Sequence, residues 1–338
     1  MTLTNSLIQQ YLKYLRYLRT SRGYFKNWFP TYLKYFLYRV SFLKVKVFKV
    51  ICKDNSVIIV TPTLYNLLLR GLSTGLIKDI KCADKVVVFK DRIISLQDAS
   101  VDILEILLYE PSINVLETLL RDWKYDEYYG YWVWVKGDVK FKHFHGSIFE
   151  VFEGEEYKAL NVKDRVVVDI GVYVGDSAIY FALRGAKKII AVEPHQGAFK
   201  EMLENIKLNN LENVIIPVNA GLASKPGSTC VEDTDITHAI HTYHKRSKCY
   251  SKVSTTTLEE LINKYNIDRD AVLKMDCEGC EYDVILNDYE HIKHFKEIIF
   301  EYHGDVSKLL KVLTEYYRCT FIRRGKRLGL IHCVRMSS

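Results

Sequence analysis

The sequence predicts an α/β protein built on a mostly parallel, doubly wound sheet in its carboxyl-terminal half. Three observations carry that expectation. The run V-V-V-D-I-G-V-Y-V-G-D-S starts at Val166 and reads as a buried strand, a glycine-bearing turn and a helix start. A second apolar run, I-I-A-V-E, ends in Glu193, 24 residues after Asp169. From there strand-like and helix-like segments alternate to the end, as in a sheet whose crossovers are helices.

Each element has its own warrant. Val166, Val167 and Val168 suit a strand buried on both faces. A helix is expected over 198–209 and a strand over 214–218, ending at Asn219 and Ala220. A polar, threonine-rich excursion covers 228–256. Residues 258–265 read as a helix, with Thr257 as N-cap and Glu260 as its capping-box partner. There follow a strand over 271–275, a helix over 282–286, a strand over 298–302 and a helix over 306–317. Two last strands, 319–323 and 328–334, flank a turn with Gly325 and Lys326, adding an antiparallel edge strand. Ligands of such sheets sit at the carboxyl ends of the strands. Asp169, Glu193, Asn219, Asp276 and His303 all fall at such ends.

The first turn has binding chemistry. Gly171 and Gly175 let the backbone bend sharply and approach a ligand. Asp176 and Ser177 open the next helix, whose free amides suit a carboxylate or phosphate. The spacing of Glu193 suits an acid that accepts both hydroxyls of a ribose. A dinucleotide loop would read G-x-G-x-x-G, whereas this one reads D-x-G-x-x-x-G and fits S-adenosylmethionine (SAM) better. The plain alternative is a strand-to-helix turn that needs glycine only for geometry.

Residues 165–335 resemble the FkbM family of SAM-dependent methyltransferases through V-V-D-I-G-x-x-x-G-D-S, A-V-E-P, L-E-N-I-K-L-N-N-L-E-N-V, T-L-E-E-L-I, L-K-M-D-C-E-G-C-E and I-I-F-E-Y-H. The string K-x-D-x-E-G-x-E from Lys274 to Glu281 is the most distinctive. The family's first loop is typically G-A-N-x-G, so Tyr173 stands in place of a small amide. The resemblance implies a Rossmann-like class I methyltransferase sheet, SAM as cofactor and S-adenosylhomocysteine as product. It implies O-methylation of a sugar, glycan or related small molecule. The cofactor set is then Asp169, Gly171, Gly175, Asp176, Ser177, Glu193, Asn219 and Asp276, and the catalytic set Asp276, His303 and Glu278.

The acidic motif can also be read from its residues. Lys274, Asp276 and Glu278 alternate, so on a strand they share a face. Three charges there are costly unless they pair or meet a ligand. Either Lys274 pairs with a solvated Asp276, or Asp276 lies beside the sulfonium or the acceptor hydroxyl. Glu278 or Glu281 would favour the amino end of the next helix. His303 is the first candidate for a general base and Asp276 the second, with a structural strand-capping histidine as the alternative. Cys277 and Cys280 lack a second pair for zinc and read as packing residues. His238, His241 and His244 recur every third residue and suit a metal, a substrate or a solvated loop. Asp276, Glu278 and Glu301 could hold Mg²⁺, but no metal is predicted.

The rest of the chain sets bounds. Hydrophobic residues are 48% of 338, ample for a packed core. The eight cysteines form no close, regular framework, which predicts mostly reduced thiols in a cytoplasmic protein. No apolar run of about 18 residues exists to span a bilayer, and the start lacks a signal-peptide core. Residues 1–53 hold 11 Lys or Arg and no acid, leaving 37 bases against 41 acids elsewhere. This basic, aromatic helical arm has three readings: an anchor on the anionic inner face of a membrane through residues 1–39, a nucleic-acid contact, or packing on its own chain or a second subunit. Residues 54–160 are expected to form a small α+β accessory module, and 161–338 the methyltransferase domain. The acceptor would be a small molecule or glycan, lipid-linked if the arm is an anchor. The rival functions are an RNA methyltransferase and a non-catalytic SAM-binding scaffold.

Overall fold

In the computed structural model, β1 (Val166–Ile170) buries all five of its side chains, as its β-branched run requires. The structure describes residues 2–40, 42–96, 100–231 and 251–336, with only the backbone of 2–11, 100 and 109. After β1 come α1 (Asp176–Leu183), β2 (Lys188–Val192), α2 (Gln196–Leu208) and β3 (Ile215–Val218). Then follow α3 (Leu258–Tyr265), β4 (Val272–Met275), α4 (Cys280–Asn287) and β5 (Glu297–His303). α5 (Ser307–Leu313), β6 (Tyr317–Arg323) and β7 (Leu328–Arg335) complete the series.

These strands form one seven-stranded sheet in the order β3-β2-β1-β4-β5-β7-β6. The first four pairings are parallel. The closing hairpin adds two antiparallel pairings, β5 with β7 and β7 with the edge strand β6. This is the mostly parallel sheet with an antiparallel edge that the alternating pattern predicted, in the Rossmann-like class I methyltransferase arrangement that the resemblance implies. Its core packs Val168, Ile190, Leu273 and Ile298 of the central strands against Leu261, Val284 and Leu309 of the helices. The capping box forms as expected: Thr257 Oγ1 accepts from Glu260 N at 3.1 Å, and Thr257 N donates to Glu260 Oε2 at 3.2 Å. Two helix boundaries differ from the sequence reading. α4 begins at Cys280, because Gly279 at φ 117° turns the chain into it. α5 stops at Leu313, and Tyr317 starts β6 with its buried hydroxyl donating to Ile292 O and Phe295 O, both at 2.7 Å. The described parts of the polar excursion form a small sheet of Gly221–Leu222, Gly227–Val231 and Ser251–Thr256.

The chain divides into two compact units. One runs to Asp138 and includes 143–146, and the other holds 139–142 and the rest from Ser147. The basic arm belongs to the core of the first unit. Its helices Thr2–Tyr24 and Trp28–Arg39 pack with the helix Pro62–Thr74 through Tyr17, Phe25, Tyr32 and Tyr35, all buried. The Tyr35 and Tyr65 rings meet at 5.4 Å, and the Ser21 and Tyr65 hydroxyls lie 2.8 Å apart. The boundary expected after residue 53 is crossed by the strand pair Phe48–Ile51 with Val57–Val60 and by the Cys52–Cys82 disulfide.

The expectation of mostly reduced thiols needs correction. Among the described residues, disulfides join Cys52 to Cys82, Cys277 to Cys280 and Cys319 to Cys333. Sequence spacing hid the two distant pairs because the fold makes them: Cys319 and Cys333 are direct partners across β6 and β7, whereas Cys277 and Cys280, expected as packing residues, are bonded to each other three residues apart. No helix among the described residues is long and apolar enough to cross a membrane.

Candidate active site at the carboxyl ends of the strands

The turn after β1 is shaped by its glycines. Gly171 has φ 72°, and a Cβ there would overlap the carbonyl oxygen of Asp276. Gly175 has φ 89°, and a Cβ would lie 2.9 Å from Met202 Cγ. Between them Tyr173 holds φ 50°, a left-handed conformation that bulky side chains rarely adopt and that asparagine tolerates better. Glu193 secures this turn. One carboxylate oxygen accepts from Tyr173 N at 2.8 Å and the other from His195 N at 2.7 Å. Burial pushes the Glu193 pKa up to about 7, against the pull of those two amides. Asn219, just past β3, donates to Glu193 O at 2.8 Å and so ties a third strand end to the loop.

Beneath the turn lies a buried ion pair. Lys274 Nζ sits 3.2 Å from Asp169 Oδ1 and donates to Gly171 O at 2.7 Å and Ile170 O at 3.2 Å. Burial works against the ammonium, but Asp169 and Asp276 raise its pKa and keep it charged. Ser177 Oγ donates to Asp169 Oδ2 at 2.7 Å, fixing the start of α1 to the same carboxylate. Asp176 is buried at that helix start and accepts from Ser177 N at 2.9 Å. Lys274 is thus bonded to Asp169 across β4 and β1, rather than being the ion-pair partner of a solvated Asp276.

Asp276 instead joins a second cluster. Its Oδ2 accepts from the buried Tyr157 hydroxyl at 3.2 Å. Burial, with Glu301 and Glu156 nearby, pushes its pKa up to about 8, against Lys274 and His303. His303 Nε2 lies 3.0 Å from Glu301 Oε2 and 3.2 Å from Glu278 Oε2. Its Nδ1 lies 3.2 Å from the buried Glu281, which also accepts from Gly279 N at 2.8 Å. Burial opposes the imidazolium, but hydrogen bonds to Glu281 and Glu301 overrule it and raise His303 to about 11. His303 is therefore a cation at neutral pH, and the first candidate for a base already holds its proton. Asp276, the second candidate, titrates in the useful range.

The site also recruits residues that the sequence reading passed over. Arg323 of β6 pairs with Glu156 at 2.8 Å and with Glu301. Glu150 is pushed up to about 7, chiefly by burial. Glu150, Glu156 and Tyr157 come from the segment before β1, where no motif or spacing marks them. His238, His241 and His244 lie outside the described residues.

The residues fit the implied cofactor. Gly171 and Gly175 let the backbone of the β1–α1 turn bend sharply and pack closely on the Asp276 carbonyl and on Met202, and an acid ends β2. For a divalent ion, Asp276, Glu301 and His303 bring ligand atoms within 4.8 Å of one another. That trio suits a metal only after the imidazole loses its proton.

The sheet and the turn at its carboxyl edge define a class I methyltransferase domain. Residues 169–322 match the model of the Methyltransferase FkbM domain. The hexuronic acid methyltransferase AglP of Haloferax volcanii is 28% identical over 154 residues, 44% of this chain and 62% of that protein. The chain thus spans under two thirds of that relative's length. Uncharacterized protein 158B of Sulfolobus islandicus rod-shaped virus 1 is 29% identical over 161 residues, 48% of this chain and 75% of that protein. Among solved structures, a ribosomal protein L11 methylase from Lactobacillus delbrueckii subsp. bulgaricus is similar at a TM-score of 0.36 and 15% identity, covering 57% of this chain and 80% of that one.

Proposed function

We propose that this chain is a SAM-dependent O-methyltransferase whose acceptor is a hydroxyl of a sugar or glycan. The observation that carries the reading is the packing of Gly171 against the Asp276 carbonyl. It sets the glycine turn beside a carboxylate poised near neutral pH. Glu193 and Asn219 would hold the nucleoside end of the cofactor, and the α1 start with Asp176 and Ser177 its amino-acid end. When bound, SAM supplies an electrophilic methyl group on a sulfonium. Asp276 accepts the proton of the acceptor hydroxyl through Oδ1 or Oδ2. The His303 imidazolium and Arg323 offset the charge of Glu278, Glu301 and Glu156, so that Asp276 can ionise among them. Holding the acceptor in line would supply most of the acceleration, on the order of 7–11 kcal/mol for well-oriented reactants. The sugar class is supported by the relative whose name is hexuronic acid methyltransferase.

The test supplies SAM labelled in its methyl group together with uronic-acid glycosides, neutral glycosides or RNA. Label in an alkali-stable sugar ether supports the reading. Label in RNA overturns the acceptor class, and failure of the chain to bind SAM by calorimetry overturns the enzyme.

A further inference from the structure

The helix Trp28–Arg39 has two unlike faces. Thr31, Tyr32 and Tyr35 are buried within the amino-terminal unit. On another face Phe29 is 57% exposed, Leu33 44%, Phe36 37% and Val40, just past the helix, 52%. Positions 29, 33, 36 and 40 repeat at helical spacing, so they form one apolar stripe in solvent. Phe42, beyond the helix, is 80% exposed. At about 100° per residue, Arg39 lies about 90° from the centre of the stripe, on the side of Tyr32, and Lys34 about 130° from it on the other side. Lys26, Lys44 and Lys46 are exposed around its ends, and residues 1–53 contain no acid at all.

We propose that this helix docks on an anionic lipid surface, its stripe inserted at the boundary of headgroups and acyl chains and its bases on the headgroups. A stripe of this kind facing water marks an interaction site rather than a finished surface. Charge decides among occupants. A second copy applied through the same face would set base against base. An RNA could pair with the bases and stack on the phenylalanines, but Leu33 and Val40 give it nothing to recognise. An anionic bilayer meets both halves of the pattern, because apolar insertion and attraction to headgroups act together. Snorkelling lysines and arginines keep their charge in the headgroup layer while the stems follow the apolar stripe. The inference does not depend on the proposed reaction.

The full chain is sedimented with vesicles of neutral phosphatidylcholine, and with vesicles containing about one third phosphatidylglycerol. It should pellet with the anionic set alone, and about 0.5 M salt should weaken binding at least ten-fold because exposed charges are screened. Phe29→Ser with Leu33→Ser should lower partitioning ten-fold or more with an unchanged melting temperature. Each single variant gives the same reading in smaller measure if the pair fails to fold. Absence of binding to anionic vesicles overturns the proposal, as does binding that the stripe variants leave intact. So does a dimer that the variants convert to monomer, or an RNA of mixed sequence that binds tightly and through the same stripe.

Discussion

At the scale of single residues, Asp276 and His303 exchange the roles that their side-chain types suggest. A histidine usually titrates nearest neutrality, yet three carboxylates hold His303 as a cation, with its pKa at about 11. An aspartate is usually ionised, yet burial and its acidic neighbours move Asp276 to about 8. In the proposed reaction kcat/KM should rise with pH through about 8, the limb belonging to a base that must first lose its proton. Asp276→Asn should remove that limb and lower turnover ten-fold or more, about 1.4 kcal/mol in the barrier. Unaltered turnover would exclude Asp276 from proton transfer. The same shift has a stability consequence of definite sign. The folded carboxyl binds its proton more tightly than the ordinary value of 3.8, so its contribution is full below that pH and is lost as pH rises towards about 8. Asp276→Asn should therefore melt higher than the parent at pH 8 while turning over less, which a thermal scan and a rate assay can set side by side. His303→Gln makes a separate prediction. Removing a cation that lowers the Asp276 pKa should move the rising limb of the pH profile to higher pH, and a limb that stays in place would show that the two groups act independently.

Among elements, the strand ends and their loops function as one assembly. Glu193 ends β2 but anchors the turn after β1 through Tyr173 N and its own loop through His195 N. Glu193→Ala should weaken SAM binding by about 1–3 kcal/mol, from the lost charged acceptor together with the loss of its two backbone hydrogen bonds. Calorimetry reads this directly, and an unchanged affinity would remove Glu193 from the cofactor site. Much of this architecture was legible beforehand. The β-branched run of β1, the capping box of α3 and the acid at the end of β2 are local signals, written within a few residues of where they act. What escaped is non-local. Lys274 alternates with Asp276 and Glu278 in sequence, but its partner is Asp169 on the neighbouring strand. Glu150, Glu156 and Tyr157 come from outside the alternating pattern, and Arg323 reaches them from the last hairpin. The Cys319–Cys333 disulfide was hidden for the same reason, since the two meet only when β6 pairs with β7. Even the state of His303 depends on carboxylates from two separate elements, α4 and its own strand β5, together with the turn before α4.

For the whole molecule, the basic arm decides how the amino-terminal unit holds together. In sequence this basic, aromatic arm has three readings: a membrane anchor, a nucleic-acid contact, or packing on its own chain or a second subunit. In the fold Tyr17, Phe25, Tyr32 and Tyr35 turn inward while the bases stay in solvent. Deleting residues 1–39 would remove all four from one core and uncover Phe48 and Tyr65, which pack against Tyr35. Replacing one buried aromatic residue by alanine typically costs about 3–5 kcal/mol. A whole domain is stable by only about 5–15 kcal/mol. Loss of four such side chains therefore exceeds what the amino-terminal unit can lose and remain folded. The truncated chain should aggregate, or show residues 40–138 cut rapidly by trypsin while the full chain resists. A truncated protein that stays soluble and resists trypsin as the full chain does would mean that the arm is an appendage after all. Substitutions confined to Phe29 and Leu33, which face solvent, should leave proteolysis unchanged, so the two experiments separate what the arm does for folding from what its outer face does for binding.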